Sequence, residues 1–150
     1  MTYAVQVATD ADIPSWLEIV REVAPLFGPM SMLDVSIRNK IEHGDALCVR
    51  AAQGGVIGGL LLGGTPPDHW IRWLAVRRSA RGQGAGAALM TAALDRFAAP
   101  CTISLATFGS DNLEGQPARR LYERFGFVAH EMLPLGPEGG TRQLFKLVQT

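Results

Sequence analysis

Cysteine is scarce in this chain. Cys48 and Cys101 are the only two in 150 residues, and both sit in apolar, strand-like runs. That placement predicts buried free thiols instead of a disulfide framework. There is no Cys-x-x-Cys, no His-Glu-x-x-His and no clustering of the three histidines, so no metal site is expected. Net charge is missing as well. Fourteen basic and fourteen acidic residues balance to zero, which leaves no overall field to gather nucleic acid or an anionic membrane. Long hydrophobic runs are absent. The longest, residues 56–64, falls far below the roughly 20 residues of a membrane-spanning helix. The start Met1-Thr2-Tyr3-Ala4 has no basic segment followed by an apolar one, so no secretory leader is expected and the chain is assigned to the cytoplasm. Lysine is nearly absent: Lys40 and Lys146 stand against twelve arginines. Arginine suits bidentate contacts with phosphate or carboxylate, although genome composition produces the same bias. No internal repeat, heptad or low-complexity segment is found.

What is present is enough apolar material, 47% of residues, to fill one core. The length fits a single domain over residues 1–150. Residues 3–8 alternate and read as a strand. Asp10, Asp12 and Pro14 mark a helix start. Ile13, Trp16, Leu17 and Val20 carry that helix to about Val23, where Pro25-Leu26-Phe27-Gly28-Pro29-Met30 is expected to break it. A second helix begins at Ser31 or Asp34, follows Leu33, Ile37 and Ile41, and stops at Gly44. Strand-like runs at 46–52 and 56–62 flank the turn Gln53-Gly54-Gly55. A loop through Pro66-Pro67 leads to a further strand at 69–76. Helical spacing resumes at Ala85, Ala88, Leu89, Ala92 and Phe97, ahead of Pro100 and a strand at 102–108. Ala118, Leu121, Tyr122 and Phe125 form one helical stripe, closed by Gly126. Strands at 127–133 and 142–148 finish the chain. The order β-α-α-β-β-β-α-β-α-β-β predicts an α/β (α+β mixed) fold in which a mostly antiparallel sheet is covered by helices.

Residues 81–89 carry the most chemical information. Trp73-Leu74-Ala75-Val76 leads into a glycine-dense helix start, Arg81-Gly82-Gln83-Gly84-Ala85-Gly86. Free N–H groups at such a start bind anions. Gly82, Gly84 and Gly86 remove Cβ atoms where a pyrophosphate needs close approach, at a cost of about 0.5–1 kcal/mol each within a helix. Arg77, Arg78 and Arg81 surround the turn; they either neutralise phosphates or form a solvated basic loop. Gly82-x-Gly84-x-x-Ala87 also fits a dinucleotide fingerprint, but the strand at 102–108 lacks the acidic residue that fingerprint requires. A P-loop is excluded because no Gly-Lys-Ser/Thr follows. The bland alternative is a tight turn that packs a small-residue helix on the sheet.

Together with this motif, Ala118-Arg119-Arg120-Leu121-Tyr122-Glu123-Arg124-Phe125-Gly126-Phe127 resembles the GNAT superfamily of N-acetyltransferases. The first motif matches the family's Gln/Arg-x-x-Gly-x-Gly/Ala loop. The second matches its Ala-x-x-Leu-Tyr-x-x-x-Gly-Phe helix. The resemblance implies a GNAT fold with about seven strands and about four helices, its fourth and fifth strands splayed apart. It implies transfer of an acetyl group from acetyl-CoA to a primary amine of a small molecule or peptide in a ternary complex. A non-catalytic CoA-binding sensor or interaction module with the same fold is the alternative. A homodimer, with the final strands and the 134–141 turn contributing, is a further implication.

The resemblance also implies roles. Pantetheine would pair with the strand at Leu74, Ala75 and Val76. The pyrophosphate would sit on the loop Arg81, Gly82, Gln83, Gly84, Ala85, Gly86 and Ala87. A strand amide near Leu74 would serve the oxyanion. Tyr122 would protonate the leaving thiolate as general acid; read from spacing alone, it is a core aromatic. The family asparagine is replaced by Gly115, and Asn112 is the substitute within reach by sequence. No glutamate occupies the expected basic position on the fourth strand. His69 is the candidate base there, against water acting alone. Phe27, Met30, Trp70 and Arg72 are the expected acceptor-binding residues, with Arg72 or Arg142 placed to hold a carboxylate.

Overall fold

The computed structural model describes residues 3–27 and 33–150. Seven strands form one sheet in the order β1-β2-β3-β4-β5-β7-β6. They are β1 (Val5–Val7), β2 (Ala46–Arg50), β3 (Val56–Thr65), β4 (Asp68–Val76), β5 (Cys101–Phe108), β6 (Val128–Leu133) and β7 (Arg142–Gln149). Every neighbouring pair is antiparallel except β4 and β5, which are parallel. The helices are α1 (Ile13–Phe27), α2 (Leu33–Glu42), α3 (Ala85–Asp95) and α4 (Gln116–Arg124). The expected order of elements and the mixed sheet are therefore found.

Strands β2, β3 and β4 each feed two cores, because alternate side chains leave opposite faces. Leu47, Val49, Leu60 and Leu62 join Leu89, Met90 and Tyr122 under α3 and α4. Ala46, Cys48 and Leu61 join Trp16, Ile19 and Ile37 under α1 and α2. Trp16, fully buried, lies flat on β3. A Cβ at Gly59 would stand 2.5 Å from its ring, so only glycine admits the indole there.

Two element boundaries differ from the sequence reading. Helix α1 continues through Pro25 to Phe27. Proline costs a helix one hydrogen bond and a clash with the preceding turn, and here packing of Val23 and Phe27 outweighs that loss. Strand β3 runs past Gly63 and Gly64 to Thr65, where Pro66-Pro67 turns the chain straight into β4. The glycines there are strand residues paired with Trp70 and His69, not loop.

Strand β4 carries a bulge. Leu61 pairs with Trp73 and Leu62 with Ile71, leaving Arg72 as the extra residue. The bulge reverses the facing of the strand. Ile71 belongs to the α3/α4 core, yet Trp73 and Ala75 belong to the α1/α2 core. Pairing with β5 spans only Asp68 to Ile71, opposite Thr102 to Leu105. Beyond the bulge the two parallel strands separate.

A buried ion pair fastens the first turn to the sheet. Arg50 donates from Nε and a terminal nitrogen to the two Asp12 carboxylate oxygens at 2.8 and 2.6 Å. Asp12 also accepts the Thr9 amide at 2.8 Å. The Arg50 bonds hold the Asp12 carboxyl below its ordinary 3.8. A lowered native value adds stability that is complete above the unfolded pKa and is lost as pH falls through the native one. Asp12→Asn is expected to cost about 2 kcal/mol at neutral pH, and the gap to wild type should narrow below about pH 4. Urea unfolding of both proteins, from neutral pH down to about pH 2, checks the sign and the window.

Candidate active site

Where β4 leaves β5, a cleft of about 670 Å³ opens. Residues 71–76 form one wall and 105–108 the other. Val23, Leu26 and Phe27 of α1 line it from one face of the sheet. Residues 84–87 of α3 and Leu121 and Tyr122 of α4 line it from the other. The cleft thus passes through the sheet and is reached from both sides.

On the α3 side the backbone presents a row of donors. The first bond of α3 runs from the Ala88 amide to the Gly84 carbonyl at 3.0 Å. Among the described residues, the amides of Gln83, Gly84, Ala85, Gly86 and Ala87 meet no acceptor. Gly82 and Gly84 have φ of 76° and 93°, a left-handed conformation that costs other residues roughly 1–2 kcal/mol. A Cβ at either would meet nothing within 4 Å. These two glycines therefore shape the turn, and the space beside each is open. Gly86 does meet a neighbour: its Cβ would lie 3.2 Å from Leu121 Cδ2, so its small size sets the spacing of α3 and α4.

The arginines around this turn divide. Arg77 donates to the Ser15 carbonyl at 3.3 Å and to the Val56 carbonyl and Glu18 at 3.2 Å, tying α1 to β3. The amide of Arg78 is taken by Glu22. Only Arg81 lines the cleft, with Nε donating to the Val76 carbonyl at 3.0 Å. The Gln83 side chain accepts from the Tyr3 hydroxyl at 3.0 Å, a tether no local pattern announces.

Strand β4 offers a free edge. The Arg77 amide bonds the Ile57 carbonyl at 2.7 Å, which, with Ala75 opposite Gly59, turns the odd-numbered backbone groups toward β3. By alternation the amides of Leu74 and Val76 face the gap. Tyr122 stands on the α4 wall, with its ring edge-on to Phe127 and Phe145 at 6.1 and 6.3 Å. Burial pushes its phenol above the ordinary 10.0. Tyr122 lines the cleft, and its hydroxyl has no hydrogen-bond partner among the described residues.

The other expected residues separate into those at the cleft and those away from it. Phe27 is at the cleft, with its ring 6.2 Å from Trp73 and 5.4 Å from Phe108. Arg72 is also there, its guanidinium 4.6 Å from the centre of the Trp70 ring. Trp70 itself does not line the cleft, and Trp73 does; Trp70 lies where β4 is still paired with β5, and Trp73 lies beyond the bulge. His69 lies in the paired part of β4, its ring stacked on Phe97 at 4.0 Å, away from the opening. Asn112 caps the turn ahead of α4 by accepting the Gly115 amide at 3.1 Å and does not line the cleft. Met30 lies outside the described residues. Thr107 and Phe108 line the cleft from the end of β5 and Glu114 from the following loop, side chains that the sequence did not single out one by one. Only the separation of the strands brings them there.

The sulfurs are remote. Cys48 and Cys101 are buried and do not line the cleft. Desolvation, aided by Asp12 nearby, pushes the Cys48 thiol up to about 11. Among the described residues no cluster of His, Cys, Asp or Glu could hold a metal ion, and no helix is long and apolar enough to cross a membrane.

Three solved structures illustrate what the chain resembles in shape. An acetyltransferase of the GNAT family from Bacillus cereus is 18% identical, with TM-score 0.76, covering 100% of this chain and 99% of its own. A phosphinothricin acetyltransferase from Sinorhizobium meliloti, in complex with AcCoA, is 20% identical, with TM-score 0.77, covering 99% and 89%. An N-acetyltransferase from Staphylococcus aureus is 14% identical, with TM-score 0.73, covering 96% and 100%. No curated protein matches the chain by sequence. The family model for the acetyltransferase (GNAT) domain matches residues 43–129. That match spans β2 through the first residues of β6, taking in the free amides of α3, the parted strands and Tyr122, and the chain belongs to the GNAT acetyltransferase family.

Proposed function

We propose that the protein is an N-acetyltransferase that moves an acetyl group from acetyl-CoA to a primary amine of a small molecule or peptide, by direct attack within a ternary complex. The observation that carries this reading is the cleft through the sheet, with unbonded amides on one side and an aromatic pocket on the other. Two substrates can enter from opposite faces and meet between the strands. The five amides from Gln83 to Ala87, with the α3 dipole, suit a pyrophosphate. The amides of Leu74 and Val76, which face the gap, suit the amide-bearing pantetheine arm, which would add to β4 as a short strand.

The thioester supplies an activated acyl carbon. The chain's own groups then serve three needs. The Leu74 amide, fixed by the sheet, stabilises negative charge on the carbonyl oxygen as the amine nitrogen bonds to carbon. Tyr122 gives its proton to sulfur as the carbon–sulfur bond breaks, and regains one from water in the open cleft. Its raised pKa keeps the phenol protonated at neutral pH. The amine must shed its own proton, and with His69 stacked on Phe97 this passes to water. Among the described residues Glu114 is the only carboxylate lining the cleft. A covalent route through cysteine is disfavoured by the burial and position of both thiols.

Acetyl-CoA at a hundredfold over its Kd should stabilise the protein by about 2.7 kcal/mol, and NAD should not; a thermal-shift comparison separates the two. Gly84→Ala, forced into a left-handed φ of 93°, should weaken acetyl-CoA binding by about tenfold. Tyr122→Phe should lower kcat by about 100-fold with acetyl-CoA binding retained. Below pH 10 the wild-type rate should show no alkaline decline from this phenol, since its pKa lies above the ordinary 10.0. Thiol release from acetyl-CoA with a panel of amines measures both. Acetyl-CoA binding without thiol release on any amine would make the chain a binding module.

A further inference from the structure

Arg72, which lines the cleft, and Lys40 beside it form a cationic pair with no counter-ion among the described residues. Arg72, the bulged residue of β4, lines the cleft on an exposed position. Lys40, half-buried, comes from the last turn of α2. Both bend over Gly63 of β3. A Cβ built there would lie 2.8 Å from Arg72 Nε and 3.2 Å from Lys40 Nζ. Two nitrogens that near one point stand within about 6 Å of each other, close enough for like charges to repel measurably. Among the described residues neither forms a salt bridge, and residues 28–32 contain no carboxylate.

Two neighbouring cations are otherwise engaged, and Arg124 lines the cleft from the other face, at the end of α4. Arg142 also lines the cleft, but Glu138 holds its guanidinium with bonds of 2.6 and 3.1 Å. Arg81 is turned to the Val76 carbonyl. Arg72 is held in place from one side only, by the face of Trp70 at 4.6 Å, which leaves its donor edge available. Lys40 contributes a second positive charge and three donors. Lysine occurs only twice in the chain, and one copy, Lys40, stands beside Arg72, whose side chain forms no salt bridge among the described residues.

We propose that Arg72 and Lys40 form a carboxylate-binding subsite for the acceptor, so that the protein acetylates amines that carry a carboxylate. This rests on the transferase reading above. The acceptor's apolar part would lie against Phe27, Trp73 and Phe108, its amine in the gap between β4 and β5, and its carboxylate across the two cations over Gly63. Glycine at 63 keeps the strand bare beneath them; any side chain would displace the Arg72 stem, whose Cγ would stand 2.9 Å from the added Cβ.

The carboxylate has two sources, a free amino acid or an acidic residue within a peptide, and paired acceptors separate them. Leucine is compared with leucinamide, and the peptide Leu-Glu-amide with Leu-Gln-amide. Rates are corrected for the fraction of free amine. In at least one pair the carboxylate member should show kcat/KM about tenfold higher or more, expressed mainly in KM. Arg72→Gln and Lys40→Gln should each remove most of that preference, with melting temperature and acetyl-CoA stabilisation unchanged. Equal rates within both pairs, or a preference that survives both substitutions, overturns the subsite. If no amine releases thiol, the transferase reading fails, and the subsite is then read by binding. Leucine or Leu-Glu-amide, and not its uncharged partner, should stabilise the acetyl-CoA-loaded wild type and lose that effect in Arg72→Gln; absence of any such difference overturns it.

Discussion

Strands β4 and β5 hydrogen-bond from Asp68 to Ile71 and then part. Most other features of the site depend on that separation. A parallel pair closed along its full length would satisfy its own backbone, and the amides of Leu74 and Val76 would have nothing to offer. The bulge at Arg72 marks the change. It bends the strand, as bulges do, and moves Trp73 and Ala75 to the face opposite Ile71. The sheet stays intact because β3 holds β4 on one side and β7 holds β5 on the other, both by long antiparallel ladders.

An opening in a sheet would collapse without supports on both faces. Tyr122 is wedged between Phe127 and Phe145 beneath α4, and Gly86 against Leu121 fixes how near α3 can come. On the other face Trp16, Trp73, Phe27 and Phe108 form a connected aromatic row. One mouth is therefore lined by backbone donors and the other by rings and cations. That asymmetry makes the two mouths of the cleft chemically different.

The arginines show how far residue type alone can carry an assignment. Arg77, Arg78 and Arg81 look alike in sequence, yet Arg77 bridges α1 and β3 and Arg81 turns to β4. Their roles follow from which carbonyls and carboxylates the fold leaves within reach, and those partners lie far away in the chain. Pro25 likewise reads as a helix breaker locally, and α1 passes through it because Val23 and Phe27 gain buried contacts. Trp70 and Trp73 are three residues apart in one strand, yet Trp70 lies where β4 still pairs with β5 and Trp73 lies where the strands have parted and the cleft opens.

The order of elements, the helix start at Arg81-Gly82-Gln83-Gly84-Ala85-Gly86 and the stripe ending in Tyr122 and Phe125 could all be read from the chain, because hydrophobic periodicity and left-handed glycine turns are local properties. The stacking of His69 on Phe97, the capping role of Asn112, the pairing of Arg142 with Glu138 and the approach of Lys40 to Arg72 could not. Each depends on a long-range partner, on a bulge that resets strand alternation, or on a loop geometry that spacing does not encode. Only the packed sheet, with two of its central strands held apart, decided where those side chains would act.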